Sequence, residues 1–154
     1  MRFDPKAGFD ATDWMLLDLL QQDARMSFAA LGRKLRLSPP AVAERLKRLE
    51  DRGVIRAYRA EIDLSAIGRG VHVYLRVIVP PKDYPRFKAA IAGMEEIFEC
   101  HHVTGNESFV LRAAVGTVGA LEPLIQKLSV YGSTTTSVVL STALDRRHFR
   151  PLQR

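Results

Sequence analysis

"SFAALGRKLRLSPPAVAERLKRLE", residues 27–50, carries apolar residues at helical spacing from end to end, yet two prolines stand in its middle. Phe28, Leu31 and Leu35 recur at three and four residues before the prolines, and Val42, Leu46 and Leu49 do so after them, which describes two amphipathic helices in succession. Proline is tolerated in a first helical turn, where N–H groups have no intrahelical partner, and it turns the residue before it away from helical backbone. One helix therefore spans Ser27 to Leu35 and a second starts near Pro39 or Pro40. Ser38 is placed to cap the second, although Pro39 can equally be the boundary residue. The face opposite its apolar stripe presents Ala41, Glu44, Arg45, Lys47 and Arg48. Helix, short turn and basic helix make the helix-turn-helix arrangement.

Upstream, Trp14, Leu16, Leu17 and Leu20 supply the buried side of a further helix, capped by Thr12 or Asp13 and ending near Asp23. Downstream, Gly53 suits a left-handed helix terminus, and "VIRAYRAEID" (54–63) reads as a strand carrying Arg56 and Arg59, with Tyr58 placed for the core in preference to a contact with a sugar. That is a winged helix-turn-helix. Arg can donate two hydrogen bonds to guanine in the major groove, and Glu can accept from cytosine. Glu44, Arg45 and Arg48 are the base-facing candidates, with Ser38, Pro39, Pro40 and Ala41 at the leading end. Lys47, Arg56 and Arg59 suit phosphate contacts, which give affinity and salt dependence with little sequence choice.

Charge agrees with a polyanion partner. Between Arg25 and Arg59 stand ten Lys or Arg against Glu44, Glu50 and Asp51, in a chain of net charge +6. The preceding stretch holds Asp4, Asp10, Asp13, Asp18 and Asp23 against Arg2 and Lys6, so the positive charge is concentrated. Over 154 residues, 47% apolar and 26% charged composition excludes disordered and fibrous classes and allows one or two domains. The single Cys100 excludes an internal disulfide framework, and no basic-then-apolar leader opens the chain, which points to the cytoplasm. The longest apolar run, 71–81, is interrupted by His72 and Arg76 and falls short of the roughly 20 residues a membrane helix needs; no membrane association is expected.

From Gly68 the period changes to two. "VHVYLRVIV" puts Val71, Val73, Leu75, Val77 and Val79 on one face and His72, Tyr74, Arg76 and Ile78 on the other. "DYPRFKAAIAGM" returns to helical spacing at Tyr84, Phe87, Ile91 and Met94. "EIFECHHVTG" and "SFVLRAAVG" read as a hairpin turning at Gly105 and Asn106. Thr117 is placed to cap a last helix through Leu121, Leu124, Ile125 and Leu128, and "STTTSVVLSTAL" is β-branched enough for a fourth strand. The order β-α-β-β-α-β is the ferredoxin-like one. The fold class is therefore α+β, with a winged helix-turn-helix domain over 1–62, a ferredoxin-like domain over 63–154, and 62–70 as linker. Two helices cover one sheet face; His72, Tyr74 and Ile78 on the other favour self-association. The basic "DRRHFRPLQR" (145–154) reads as a loose tail.

These features resemble the Lrp/AsnC family of bacterial and archaeal transcription regulators across about Phe9 to Leu144. The resemblance rests on Asp10, Asp13, Asp23-Ala24-Arg25, Leu37-Ser38-Pro39, Val42, Arg45, Leu49, Gly53-Val54-Ile55 and Tyr58, and on "ECHHVTGNESFVL". It implies double-stranded DNA as partner. It also implies a homodimer built through the second-domain sheets, commonly assembled to octamers or similar rings, and a small-molecule effector such as an amino acid bound between subunits. The hairpin residues Thr104, Gly105, Asn106, Glu107 and Ser108 stand at the family's effector segment. The family pattern there is Thr-Gly-Asp-x-Asp, and both acidic positions are altered here. An α-amino group would lose the carboxylate expected at Ser108 unless Glu107 substitutes. Arg36 stands where the family usually has a turn glycine, a place for strain, and Pro40 where a polar residue often faces bases.

No enzyme, cofactor or metal is expected. Alternation separates His101 from Cys100 and His102, and no second Cys or His pair stands nearby. Sirohaem decarboxylases resemble the same two-domain family, and His101, His102 and Arg112 would have to line a tetrapyrrole pocket for that alternative. An effector module that no longer binds DNA is the other.

Overall fold

The computed structural model describes residues 8–145, 148 and 149. They form two compact units, one of residues 8–61 with 144, 145, 148 and 149, the other of 62–143. The chain leaves the first unit at Glu61 and rejoins it at Leu144, whereas the sequence alone suggests a single second domain for everything after residue 62.

The first unit holds helices α1 (Ala11–Gln22), α2 (Phe28–Leu35) and α3 (Pro39–Asp51). Asp10, rather than Thr12 or Asp13, caps α1. Its carboxylate accepts from the Asp13 N–H at 2.7 Å, while the Asp13 carboxylate accepts from the Asp10 N–H at 3.4 Å, a reciprocal box. Ser27 caps α2 by accepting from the Ala30 N–H at 3.2 Å, and Ser38 caps α3 by accepting from the Ala41 N–H at 3.4 Å. Pro39 and Pro40 then occupy the first helical positions, where a missing N–H is no loss, and the open register is resolved in favour of Ser38.

Between α2 and α3 the Leu37 N–H donates to the Gly32 carbonyl at 2.9 Å. A Cβ on Gly32 would lie 2.5 Å from the Leu37 carbonyl oxygen, so the turn folds onto α2 only because that position has no side chain. Arg36 has φ 56°, the one non-glycine residue with positive φ among the described residues; the strain anticipated at this turn sits on it. α3 ends where Gly53 takes φ 67°, its N–H donating to Glu50 O at 2.8 Å and the Val54 N–H to Leu49 O at 2.9 Å, a Schellman motif. Leu16, Leu31, Leu35, Val42, Leu46 and Leu49 form the core, with Phe9, Leu20, Met26 and Ile55 packed around it.

Residues 54–63 are not a strand. The Val54 and Ile55 N–H groups both turn back to Leu49 O, and no other strand lies among the described residues of this unit to complete a ladder. The wing is thus an irregular segment. Tyr58, expected in the core, is 47% exposed, with its hydroxyl donating to Glu50 at 2.9 Å. The tail, expected to be loose, is tied down at Phe149: the N–H donates to Gln21 Oε1 at 2.7 Å and the carbonyl accepts from Gln21 Nε2 at 3.0 Å. Residues 146, 147 and 150–154 of that tail lie outside the described residues.

The second unit runs β1 (Val71–Ile78), α4 (Tyr84–Ile91), β2 (Ile97–His102), β3 (Phe109–Val115), α5 (Leu121–Ser129) and β4 (Ser133–Val138). The sheet order is β2-β3-β1-β4 with every neighbouring pair antiparallel, the ferredoxin-like topology. Val73, Leu75, Val77 and Val79 join Phe109, Leu111 and Ala113 beneath Phe87, Leu121, Leu124 and Leu128. Thr117 does not cap α5; it makes no side-chain cap bond, and the helix is entered through a 3-10 turn at Val118–Ala120. Among the described residues no helix is long and apolar enough to cross a membrane.

Candidate nucleic-acid interface

The apolar stripe of α3, Val42, Leu46 and Leu49, is buried. At about 100° per residue, Glu44 lies opposite that stripe, Lys47 and Arg48 lie at its two outer shoulders, and Arg45 lies nearest to it. The structure follows that wheel. Ser38, Pro39, Pro40, Glu44, Lys47 and Arg48 are exposed, and Ala41 is half-buried.

Arg45 is the exception to the outward reading. Its Nη1 donates to Asp10 Oδ2 at 2.6 Å and to Asp13 Oδ1 at 2.8 Å, so the guanidinium faces the leading end of α1 instead of a groove. Asp13 is only 2% exposed, and Arg48 Nη2 reaches the same Asp13 oxygen at 3.4 Å from a half-exposed position. The hydrogen bond from Arg45, followed by that from the Asp13 backbone, holds the Asp10 carboxyl below the usual carboxylate range. The same two carboxylates raise the Arg45 pKa. Taken alone, α3 makes Arg45 a base contact; in the structure its guanidinium is engaged by Asp10, the cap of α1, and by Asp13. The signal for them is Asp-x-x-Asp at residues 10–13 together with a wheel angle on the flank. Arg56 and Arg59 are exposed, on the irregular 54–63 segment. Arg33, Lys34 and Arg36, also exposed on α2 and its turn, belong to the basic run, and reading α3 and the wing alone misses them as contact candidates.

In the second unit, residues 103–108 link β2 to β3, with Gly105 at φ 119°. Thr104, Gly105 and Asn106 are exposed; Glu107 and Ser108 are half-buried. The Ser108 hydroxyl accepts from the Val79 N–H at 3.1 Å and donates to the Val79 carbonyl at 3.0 Å, while its own N–H donates to Val77 O at 3.0 Å. Ser108 therefore stitches the hairpin to the end of β1. The histidines do not converge: His102 stacks on Phe109 on the helix side, while His101 Nε2 lies 2.6 Å from Glu99, which also accepts from Arg112 at 2.9 Å. His101 first and Arg112 second hold the Glu99 carboxyl below its ordinary range.

Comparison with known proteins places both halves. An AsnC-type helix-turn-helix domain matches residues 9–50 and an Lrp/AsnC ligand binding domain matches residues 72–149. The HTH-type transcriptional regulator LrpC of Bacillus subtilis is 36% identical over 86% of this chain and 92% of its own length. The solved B. subtilis LrpC structure superposes with a TM-score of 0.86 at 34% identity, covering 91% of this chain and 99% of that one. A transcriptional regulator from Neisseria meningitidis, solved as an L-Met complex, gives a TM-score of 0.85 at 26% identity, with 92% and 96% coverage. The same domain pair, in the same order and over nearly the whole chain, makes this protein a member of the Lrp/AsnC family of transcriptional regulators.

Proposed function

We propose that this regulator presents α3 to the major groove of double-stranded DNA, acts as a homodimer or a larger ring, and answers to a small-molecule effector. One observation supports the DNA reading above others: α3 is capped at Ser38 and buried along Val42, Leu46 and Leu49, leaving Pro40, Glu44, Lys47 and Arg48 exposed on the far side. Glu44 and Arg48 suit base edges; Ser38, Pro39 and Ala41 suit close approach of the helix start to the backbone. Lys47, Arg56 and Arg59 suit phosphates. Duplexes selected from a randomised pool by the full-length protein test this. Enrichment of a pseudo-palindromic sequence is expected, and Lys47→Ala should weaken all duplexes alike while lowering the salt slope by about 0.9. Selection that enriches no sequence overturns the reading.

Self-association is supported by the outward face of the sheet, where Tyr74, Ile78 and Phe98 are 40%, 49% and 47% exposed and His72 Nε2 is shut from solvent with no hydrogen-bond partner. For the effector, the hairpin Thr104–Ser108 is the expected segment, and the L-Met complex of the Neisseria regulator offers amino acids as the class to test. Ser108 carries no charge, and its hydroxyl is committed to Val79. An effector ammonium would have to rely on Glu107. Common amino acids should therefore bind weakly and give small thermal shifts at millimolar concentration. A shift of several degrees with leucine or methionine would remove this part of the proposal.

A further inference from the structure

Along α3 and its C-terminal cap the arginines at 45, 48 and 52 follow at spacings of three and four, and residues 9–13, leading into α1, engage all of them. Asp10 and Asp13 hold Arg45, Asp13 reaches Arg48, and the Arg52 guanidinium lies 4.3 Å from the centre of the Phe9 ring. We propose that Arg45 is a positioning residue that fixes the rotation of α3 about its own axis, and that it reads no base. This rests on the DNA-binding reading above and gives Arg45, which that reading leaves without a contact, a task in it.

Three features of the site support it. Two of the guanidinium's five N–H donors, both on Nη1, are taken by carboxylate oxygens at 2.6 and 2.8 Å, which points the group at Asp10 and Asp13. Drawing Arg45 towards a base would also leave the buried Asp13 with two long contacts, the Arg48 guanidinium and the Asp10 N–H, each at 3.4 Å, and a buried carboxylate losing its nearest cation is strongly disfavoured. Finally, the contacts of Val42, Leu46 and Leu49 with the core are apolar and non-directional, so they alone allow α3 to roll. Charge-assisted hydrogen bonds are directional, and these sit on the flank where a small roll would swing Glu44 and Lys47 away from their angle. The sequence of the first unit, residues 1–61 with 144–154, is basic, 16 Lys or Arg against ten Asp or Glu, which draws it to any duplex alike. The rotation of α3 instead decides which of its side chains meet the base edges.

The experiment uses the full-length protein and the duplex it enriches from a randomised pool, with a scrambled duplex as control. Asp13 lies away from the exposed face, so it has no way to contact DNA. Asp13→Asn, Arg45→Ala and the double variant should each weaken the selected duplex by a similar factor, on the order of tenfold, without adding. The scrambled duplex and the salt slope should be unaffected, Arg45→Lys should recover most of the loss, and reselection with Arg45→Ala should return the same consensus. A simple loss of folded protein would lower both duplexes together. The inference is overturned if Asp13→Asn binds like the unmodified protein while Arg45→Ala changes the preferred base or lowers the slope by about one contact. Should Asp13→Asn melt below the assay temperature, Asp10→Asn, on the solvent side of the same guanidinium, should give a smaller loss of the same kind; full affinity there overturns the inference equally. Failure of the unmodified protein to enrich any duplex is a separate result, and it removes the DNA reading itself.

Discussion

Arg36 occupies a backbone conformation that its side chain opposes. With φ 56° and ψ 43° it bears the left-handed penalty, roughly 1–2 kcal/mol for a residue with a Cβ. Glycine would remove that penalty while adding roughly 0.5–1 kcal/mol of unfolded-state freedom. Relief of strain outweighs the added freedom, so Arg36→Gly should stabilise the first unit by about 0.5–1 kcal/mol, seen as a higher urea midpoint at unchanged slope. A lower midpoint would mean that the exposed arginine makes contacts worth more than its strain. This strain is legible only through the family resemblance, which puts a turn glycine where Arg36 stands. Tyr58 is not legible in the same way. An aromatic residue in a β-prone run suggests a core position, but without a ladder the run does not form a strand, and the ring lies half-exposed with its hydroxyl on Glu50. Partial burial, followed by the neighbouring carboxylate, raises its pKa to about 12.

At the level of elements, the turn between α2 and α3 has two supports of unequal weight. Ser38 satisfies one N–H of the α3 start, and its loss in Ser38→Ala should cost about 1 kcal/mol. Gly32 sits where a Cβ would meet the Leu37 carbonyl oxygen at 2.5 Å. Both partners are backbone, so neither side can yield cheaply, and Gly32→Ala should cost more than Ser38→Ala, on the order of 2–3 kcal/mol. Denaturant unfolding of the two variants decides the ranking; equal midpoints would show that the turn relaxes freely. The helices themselves are readable because their periodicity is local, and so are the strands that alternate over 71–79 and through the hairpin. The missing wing strand and the inward Arg45 are not, for one reason. A strand is half of a pairing, and the direction of a side chain depends on partners; here Asp10 is 35 residues from Arg45. Periodicity on a single element shows which face is buried. It does not show which of the flanking side chains a neighbouring element will capture.

For the whole molecule, the two faces of the sheet in the second unit differ in what covers them. α4 and α5 bury one side of the sheet, and the other side holds Tyr74, Ile78 and Phe98 beside the Glu99, His101 and Arg112 cluster. An apolar centre with a charged margin is the pattern of an interface between copies. Two-fold pairing would also supply two α3 helices, which a pseudo-palindromic site requires. Ile78 is 49% exposed and belongs to no buried cluster, so Ile78→Lys should change the stability of an isolated chain by no more than about 0.5 kcal/mol. Within a paired face the same lysine would put a charge in a desolvated site. Sedimentation at micromolar concentration should then show a shift towards monomer. Affinity for the selected duplex should fall much more than affinity for a scrambled one, because only the former depends on two helices held at fixed spacing. If Ile78→Lys leaves both the mass and the affinity ratio unchanged, this sheet face is not where copies meet, and the pairing that aligns the recognition helices must be sought on another surface.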